Sequence, residues 1–219
     1  MNLVGHVAVA LAPGSESSPP TDFLVGCMLP DLAAIARVRL GPAPGDIGLG
    51  VSFHHACDAA FHDGPWFRAT NGALRDALVG AGVDRGPARA CSHAGIEMLL
   101  DGALLAEPAV ARHAEIVLGA VDARAHELGT LATPTARRQW VERLRLIGSS
   151  LEPQRYADAR FVAERLHRMT AGRRRIELPE RHVAVVASTL REFQAPITAA
   201  APVVRAAVTR EVPNPHRPR

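Results

Sequence analysis

The residues able to do chemistry fall into two short stretches. In Phe53-His54-His55-Ala56-Cys57-Asp58-Ala59-Ala60-Phe61-His62, candidate ligands recur at every fourth position as His54, Asp58 and His62. Four helical residues turn about 400°, so the three share one face and drift by only about 40° per step. His55 lies about 100° from His54 and points elsewhere. The spacing returns in Ser92-His93-Ala94-Gly95-Ile96-Glu97-Met98-Leu99-Leu100-Asp101 as His93, Glu97 and Asp101. Each triad sits among Ala, Leu, Ile and Phe, where polar groups are costly unless paired or bound to metal. Imidazoles and carboxylates on facing helices suit a divalent metal, Mn, Fe or Zn. Such a centre activates water and neutralises a phosphoryl oxygen. A single triad reads as ordinary i,i+4 pairs on a solvated face; two triads with few other charges around them favour metal. His6 and Asp31 are candidates for the remaining coordination positions. Taken alone, His6 reads as a core histidine and Asp31, after Pro30, as a helix cap. Cys27 reads as a small buried hydrophobe. His113, His126, His167, His182 and His216 have no ligand partner at convincing spacing.

Helical periodicity dominates the elements that must position these residues, and strand-like alternation is nearly absent. Helices are expected at about 3–11, 21–40, 47–62, 66–80, 87–106, 108–129, 134–148, 153–171 and 179–210. Thr21 or Asp22 is the expected cap of the second. Pro30 should kink or break that helix and Pro196 should kink or split the last. The stretch from Pro13 to Pro20 and the run Gly41-Pro42-Ala43-Pro44-Gly45 read as loops. The expected fold is an all-α, single-domain helical bundle. Residues 1–200 form the domain, and 201–219 are the end of the last helix and a flexible tail.

The chain has 219 residues, 47% of them hydrophobic, enough for a single core. Aromatics make up 4%, too few for base-stacking platforms. All 25 basic side chains are arginine and the net charge is only +3, so the basic excess reflects arginine usage and predicts no nucleic-acid partner. Cys27, Cys57 and Cys91 are widely spaced and odd in number, which argues for a reducing compartment. The opening residues lack a basic leader, and no apolar run reaches membrane-spanning length. A cytoplasmic protein with no membrane span is expected.

Several blocks resemble the acyl-carrier-protein phosphodiesterases, HD-domain-like metal hydrolases. They are Met1 to Ala10, Gly26-Cys27-Met28-Leu29-Pro30-Asp31, Gly50 to Asp58, Glu97 to Asp101, and Tyr156 to Ile176 with its run Arg173-Arg174-Arg175. The blocks are collinear over about residues 1–176. The resemblance implies hydrolysis of the 4′-phosphopantetheine phosphodiester of holo-acyl carrier protein, with manganese as the usual metal. It places Asp31, His54, Asp58 and Asp101 as metal ligands or their neighbours. The chain departs from the family at His55, His62, Glu97 and Gly102, which stands where the family has a histidine. The expected metal set is His6, Asp31, His54, Asp58, His62, His93, Glu97 and Asp101, with Asp31 or His93 shuttling a proton. Arg173, Arg174 and Arg175 would hold the acidic carrier or its phosphate; as a plain helix end they would only complement the dipole. Two alternatives stand beside this one. His93 to Glu97 and Leu24 to Asp31 also resemble a zinc-dependent phospholipase C-like hydrolase. A non-catalytic helical binding protein with a degenerate metal site is the other.

Overall fold

Every residue of the first helix, α1 (Leu3–Ala10), is buried. A helix that is apolar on all sides must be enclosed by others, and α1 is packed against α2 (Thr21–Ala36), α5 (Arg85–Leu104), α6 (Pro108–Ala123) and α10 (Val183–Glu211). The remaining helices are α3 (Gly45–Asp63), α4 (Pro65–Gly80), the single turn α7 (Ala125–Leu128), α8 (Arg137–Ser150) and α9 (Ala159–Thr170). The computed structural model describes residues 1–11 and 18–216; the loop expected around Pro13 lies largely outside them. Among the described residues there is no β-strand, only an isolated bridge between Leu40 and Ala132. The chain is an all-α, single-domain bundle around one hydrophobic core.

Both ends of the buried α1 need partners for backbone groups that no helix can satisfy internally. Asp101 of α5 accepts from Val4 N at 3.1 Å and Gly5 N at 2.8 Å. At the other end, Arg205 of α10 donates to Ala8 O at 2.7 Å and Asn214 to Ala10 O at 2.9 Å. Arg205 is itself buried and paired with Glu107. Residues 201–216 are therefore packed against the core: Ala201, Val204, Val208, Val212 and Asn214 are all buried. The segment expected as the end of the last helix and a tail is helical to Glu211 and stays packed as far as the described residues run.

The helix boundaries differ from expectation where tertiary contacts intervene. α2 stops at Ala36 rather than near Leu40, because Arg37 turns to φ +57° and the buried Val38 returns its N–H to Ala33 O. Neither Thr21 nor Asp22 caps this helix: Pro20 stands at the cap position and Asp22 pairs with Arg124. The helix expected over 153–171 begins as a 3-10 turn, Pro153–Ala157, which carries the buried Tyr156, and continues as α9 with Asp158 as its cap. α10 is one helix that contains both Pro196 and Pro202, so Pro196 does not split it.

The α2–α3 crossing does most to position the site. A Cβ on Gly26 would sit 2.2 Å from Ile47 O, and one on Gly50 would sit 2.1 Å from Phe23 O. Only a glycine pair allows the two backbones to meet this closely. His54, one turn beyond Gly50, is thereby brought to Cys27, next to Gly26, where its Nδ1 lies 2.9 Å from the Cys27 carbonyl oxygen.

Candidate metal centre

Four helices bring histidines and carboxylates together: α1 with His6, α2 with Asp31, α3 with His54, Asp58 and His62, and α5 with His93 and Glu97. The donors form two groups. Those of His6, His54 and Asp58 lie within 4.8 Å of one another, as do those of His62, His93 and Glu97. Each group is a pair of neighbouring imidazoles around one carboxylate. The His6 and His54 rings stack at 3.9 Å; His6 Nε2 lies 3.3 Å from Asp58 Oδ1 and His54 Nε2 lies 3.4 Å from Asp58 Oδ2. The His62 and His93 rings are 4.8 Å apart, with their Nε2 atoms 2.8 and 3.3 Å from Glu97 Oε1. The Met1 amino group joins the two, donating to Asp58 at 2.6 Å and lying 3.2 Å from Glu97. Both carboxylates thus face one position that holds positive charge.

Asp31 borders the first group: its Oδ2 lies 3.8 Å from His6 Nε2, is buried and has no hydrogen-bond partner. Burial pushes its carboxyl up to about 7, against the pull of His54 and the Met1 ammonium. Burial also pushes His6 down to about 3. At Asp58 and Glu97 burial acts in the same upward sense, but the imidazoles and the ammonium outweigh it and hold both carboxylates far below their ordinary range. His54 shows the reverse: burial lowers it, yet Asp58 and Asp31 leave it above its ordinary value.

The residues fit a metal on their hydrogen bonding. Cys27 O can only accept, so His54 Nδ1 carries the proton and a neutral His54 turns a bare Nε2 lone pair toward Asp58. Two acceptors facing one another need a shared cation, either a proton or a metal ion. A ligating histidine that donates its other ring N–H to a backbone carbonyl is a standard supporting arrangement for metal. Asp31 Oδ2, buried beside the same group without a hydrogen-bond partner, offers a further oxygen donor atom.

Asp101 is not brought into either group. It is fully buried with its carboxylate committed to the backbone of α1, so the expected ligand caps a helix instead. Gly102 has a steric reason: a Cβ there would lie 2.5 Å from Tyr156 C and Ala157 N, leaving no room for a histidine. His55 is exposed beside Pro30 and Leu131, its ring edge-on to that of His54 at 5.3 Å, and it belongs to neither group. Among the remaining histidines, His113 and His167 bond the carbonyls of Ala109 and Leu178. The run Arg173 to Arg175 lies past the end of α9, beyond Gly172 at φ +70°, and is exposed. It is not one patch, because Arg173 and Arg175 line a groove beside His93 while Arg174 lines neither groove at the site.

A second groove, of about 690 Å³, opens directly onto Asp31 and Glu97. Its walls include Arg37, Arg143, Arg165 and Arg168 as well as Arg173. The sequence reading missed the first four, which are scattered over three helices and their ends. Met1, also missed, carries no side-chain ligand and enters through main-chain atoms, its carbonyl lying 3.0 Å from His6 Nε2. No protein-family model, curated protein or solved structure matches this chain.

Proposed function

We propose that the chain is a metal-dependent phosphodiester hydrolase. The supporting observation is the convergence of four imidazoles and three carboxylates from α1, α2, α3 and α5 on two adjoining groups beside an arginine-lined groove. His6, Asp31, His54 and Asp58 would hold one divalent ion, and His62, His93 and Glu97 another. Bound there, such ions polarise a phosphoryl oxygen and lower the pKa of water. The protein's own groups then have separate tasks. The Cys27 carbonyl fixes the tautomer and orientation of His54. Asp31 lines the groove, and its carboxyl, held up to about 7 by burial in the metal-free chain, would give up its proton when a cation binds beside it. His93, with a 45% exposed side chain, reaches solvent at the mouth of the second group.

Of the two family resemblances, the zinc-dependent phospholipase C-like one has the better geometric support. His93 and Glu97 close with His62 into a histidine-rich group, a donor set suited to zinc. The acyl-carrier-protein phosphodiesterase reading, with its HD-domain-like arrangement and manganese, loses Asp101 to α1 and finds no room for a histidine at 102. The experiment is metal analysis of the purified chain, followed by assays of holo-acyl carrier protein and a lipid phosphodiester with Mn²⁺ and with Zn²⁺. Metal near stoichiometric level, lost on replacing His54 and Asp58 by Ala together with hydrolysis, is the expected result. A metal-free chain that hydrolyses neither substrate, and whose stability the substitutions leave unchanged, overturns the proposal and favours the non-catalytic binding protein.

A further inference from the structure

The groove that opens on Asp31 and Glu97 has an electrostatic character that metal binding does not explain. Arg37, Arg143, Arg165, Arg168 and Arg173 all line it, and among the described residues none of the five is ion-paired with a carboxylate. Other arginines of the chain do pair: Arg75 with Asp76, Arg124 with Asp22 and Glu127, Arg155 with Glu152, Arg160 with Glu164, and Arg205 with Glu107. Arginines without a carboxylate partner occur elsewhere in the chain too, but five of them line this one groove beside the candidate metal centre. Arg165 is half-buried, and its Nε is a buried donor without a partner. A buried guanidinium donor left unmade costs free energy that an arriving anion would recover. Arg168, one turn along α9, is exposed and has no carboxylate partner among the described residues.

On the hydrolase reading, ions held by the two groups would account for the reacting phosphate. A groove about 690 Å³ in volume is larger than one phosphate needs, and three of its arginines, Arg143, Arg165 and Arg168, stand on α8 and α9, which carry none of the candidate metal donors. We infer that the substrate carries a second phosphate, held by Arg165 and Arg168 while the scissile phosphodiester lies at Asp31 and Glu97. This inference rests on the hydrolase reading and adds the substrate class to it. The arginines are positioning and specificity residues, and they take no part in bond breaking.

The test compares two small probes that differ by one phosphate on the same scaffold, thymidine 5′-phosphate and thymidine 3′,5′-bisphosphate. Their binding to the full chain is measured by calorimetry with Zn²⁺ present. The bisphosphate is expected to bind about tenfold or more tightly than the monophosphate, the gain from one well-made set of charge-assisted hydrogen bonds. Arg165→Gln with Arg168→Gln should bring the ratio close to one. Arg168→Gln alone, at an exposed position, should lower it and guards against a folding defect from the half-buried Arg165. Arg75→Gln, already paired with Asp76 on the surface, should leave the ratio unaltered. Equal affinities, no measurable bisphosphate binding, or a ratio that survives the double substitution overturns the inference. Metal content and hydrolysis of p-nitrophenyl thymidine 5′-phosphate are read separately. Metal and hydrolysis without bisphosphate preference sink the second-phosphate site alone. Preference without metal or hydrolysis sinks the hydrolase reading and leaves the anion site standing.

Discussion

Asp31 and Asp101 are both aspartates among apolar neighbours, four residues from a cysteine or a glutamate, and nothing in their local sequence separates their fates. The structure gives Asp101 two backbone N–H donors and leaves Asp31 Oδ2 with none. Replacing Asp101 by Ala should therefore destabilise the fold by about 2–4 kcal/mol, the cost of two buried donors left unsatisfied. The folded fraction should keep its full metal content, which metal analysis after size-exclusion chromatography would check; loss of metal in a well-folded variant returns Asp101 to the ligand set. For Asp31 the sign is opposite. Its carboxyl is raised from 3.8 to about 7, so the stability that its neutral form allows is present below about pH 4 and lost as pH rises through 7. Asp31→Asn should stabilise the metal-free chain at pH 8 by about 2 kcal/mol, a figure discounted for partial solvent access, and by much less at pH 4.5. Chemical denaturation of both proteins at the two pH values measures the gap, and a gap that does not widen with pH refutes the buried-carboxylate account. The same variant should weaken metal binding, so the site is held at a cost in stability.

At the scale of elements, the candidate metal donors depend on how α2 crosses α3. Gly50→Ala would place a methyl 2.1 Å from Phe23 O and 2.8 Å from Gly26 Cα, neither of which can yield as a flexible side chain could. The helices must separate, with an expected loss of about 3 kcal/mol. Metal affinity should fall too, because His54 loses its register with Cys27 O. Gly119→Ala, in α6 with nothing within 4 Å of the added carbon, is the control and should be neutral or stabilising by up to about 1 kcal/mol. Urea melts and zinc titrations of the two variants separate helix crossing from general glycine effects. Helix existence was readable because the 3.6-residue pattern is local. The ends were less so, because Asp22 is drawn to Arg124 and the turn carrying Tyr156 packs against Gly102, partners distant in sequence.

Across the whole molecule, the candidate centre ties α1 to α5 through groups separated by more than ninety positions, as Asp101 does on the polar backbone of α1. Metal bound there stabilises the folded chain by mass action. At free metal about 100 times Kd, chelation should remove about 2.7 kcal/mol and lower Tm by roughly 5–10 °C. Thermal melts with and without chelator test this, and an unchanged Tm in a chain that contained metal places the ion outside the folded site. By itself, the sequence determined the all-α class and the two i,i+4 rows of ligands, because helical periodicity and side-chain chemistry are properties of neighbouring residues. Only the tertiary structure decided that the rows meet at His62 and His93 while His54 pairs with His6, that Asp31 borders the group while Asp101 caps α1, and that arginines without carboxylate partners line the approach. Those outcomes depend on the crossing of helices and on which buried backbone groups lack partners, and both are settled between residues far apart in the chain.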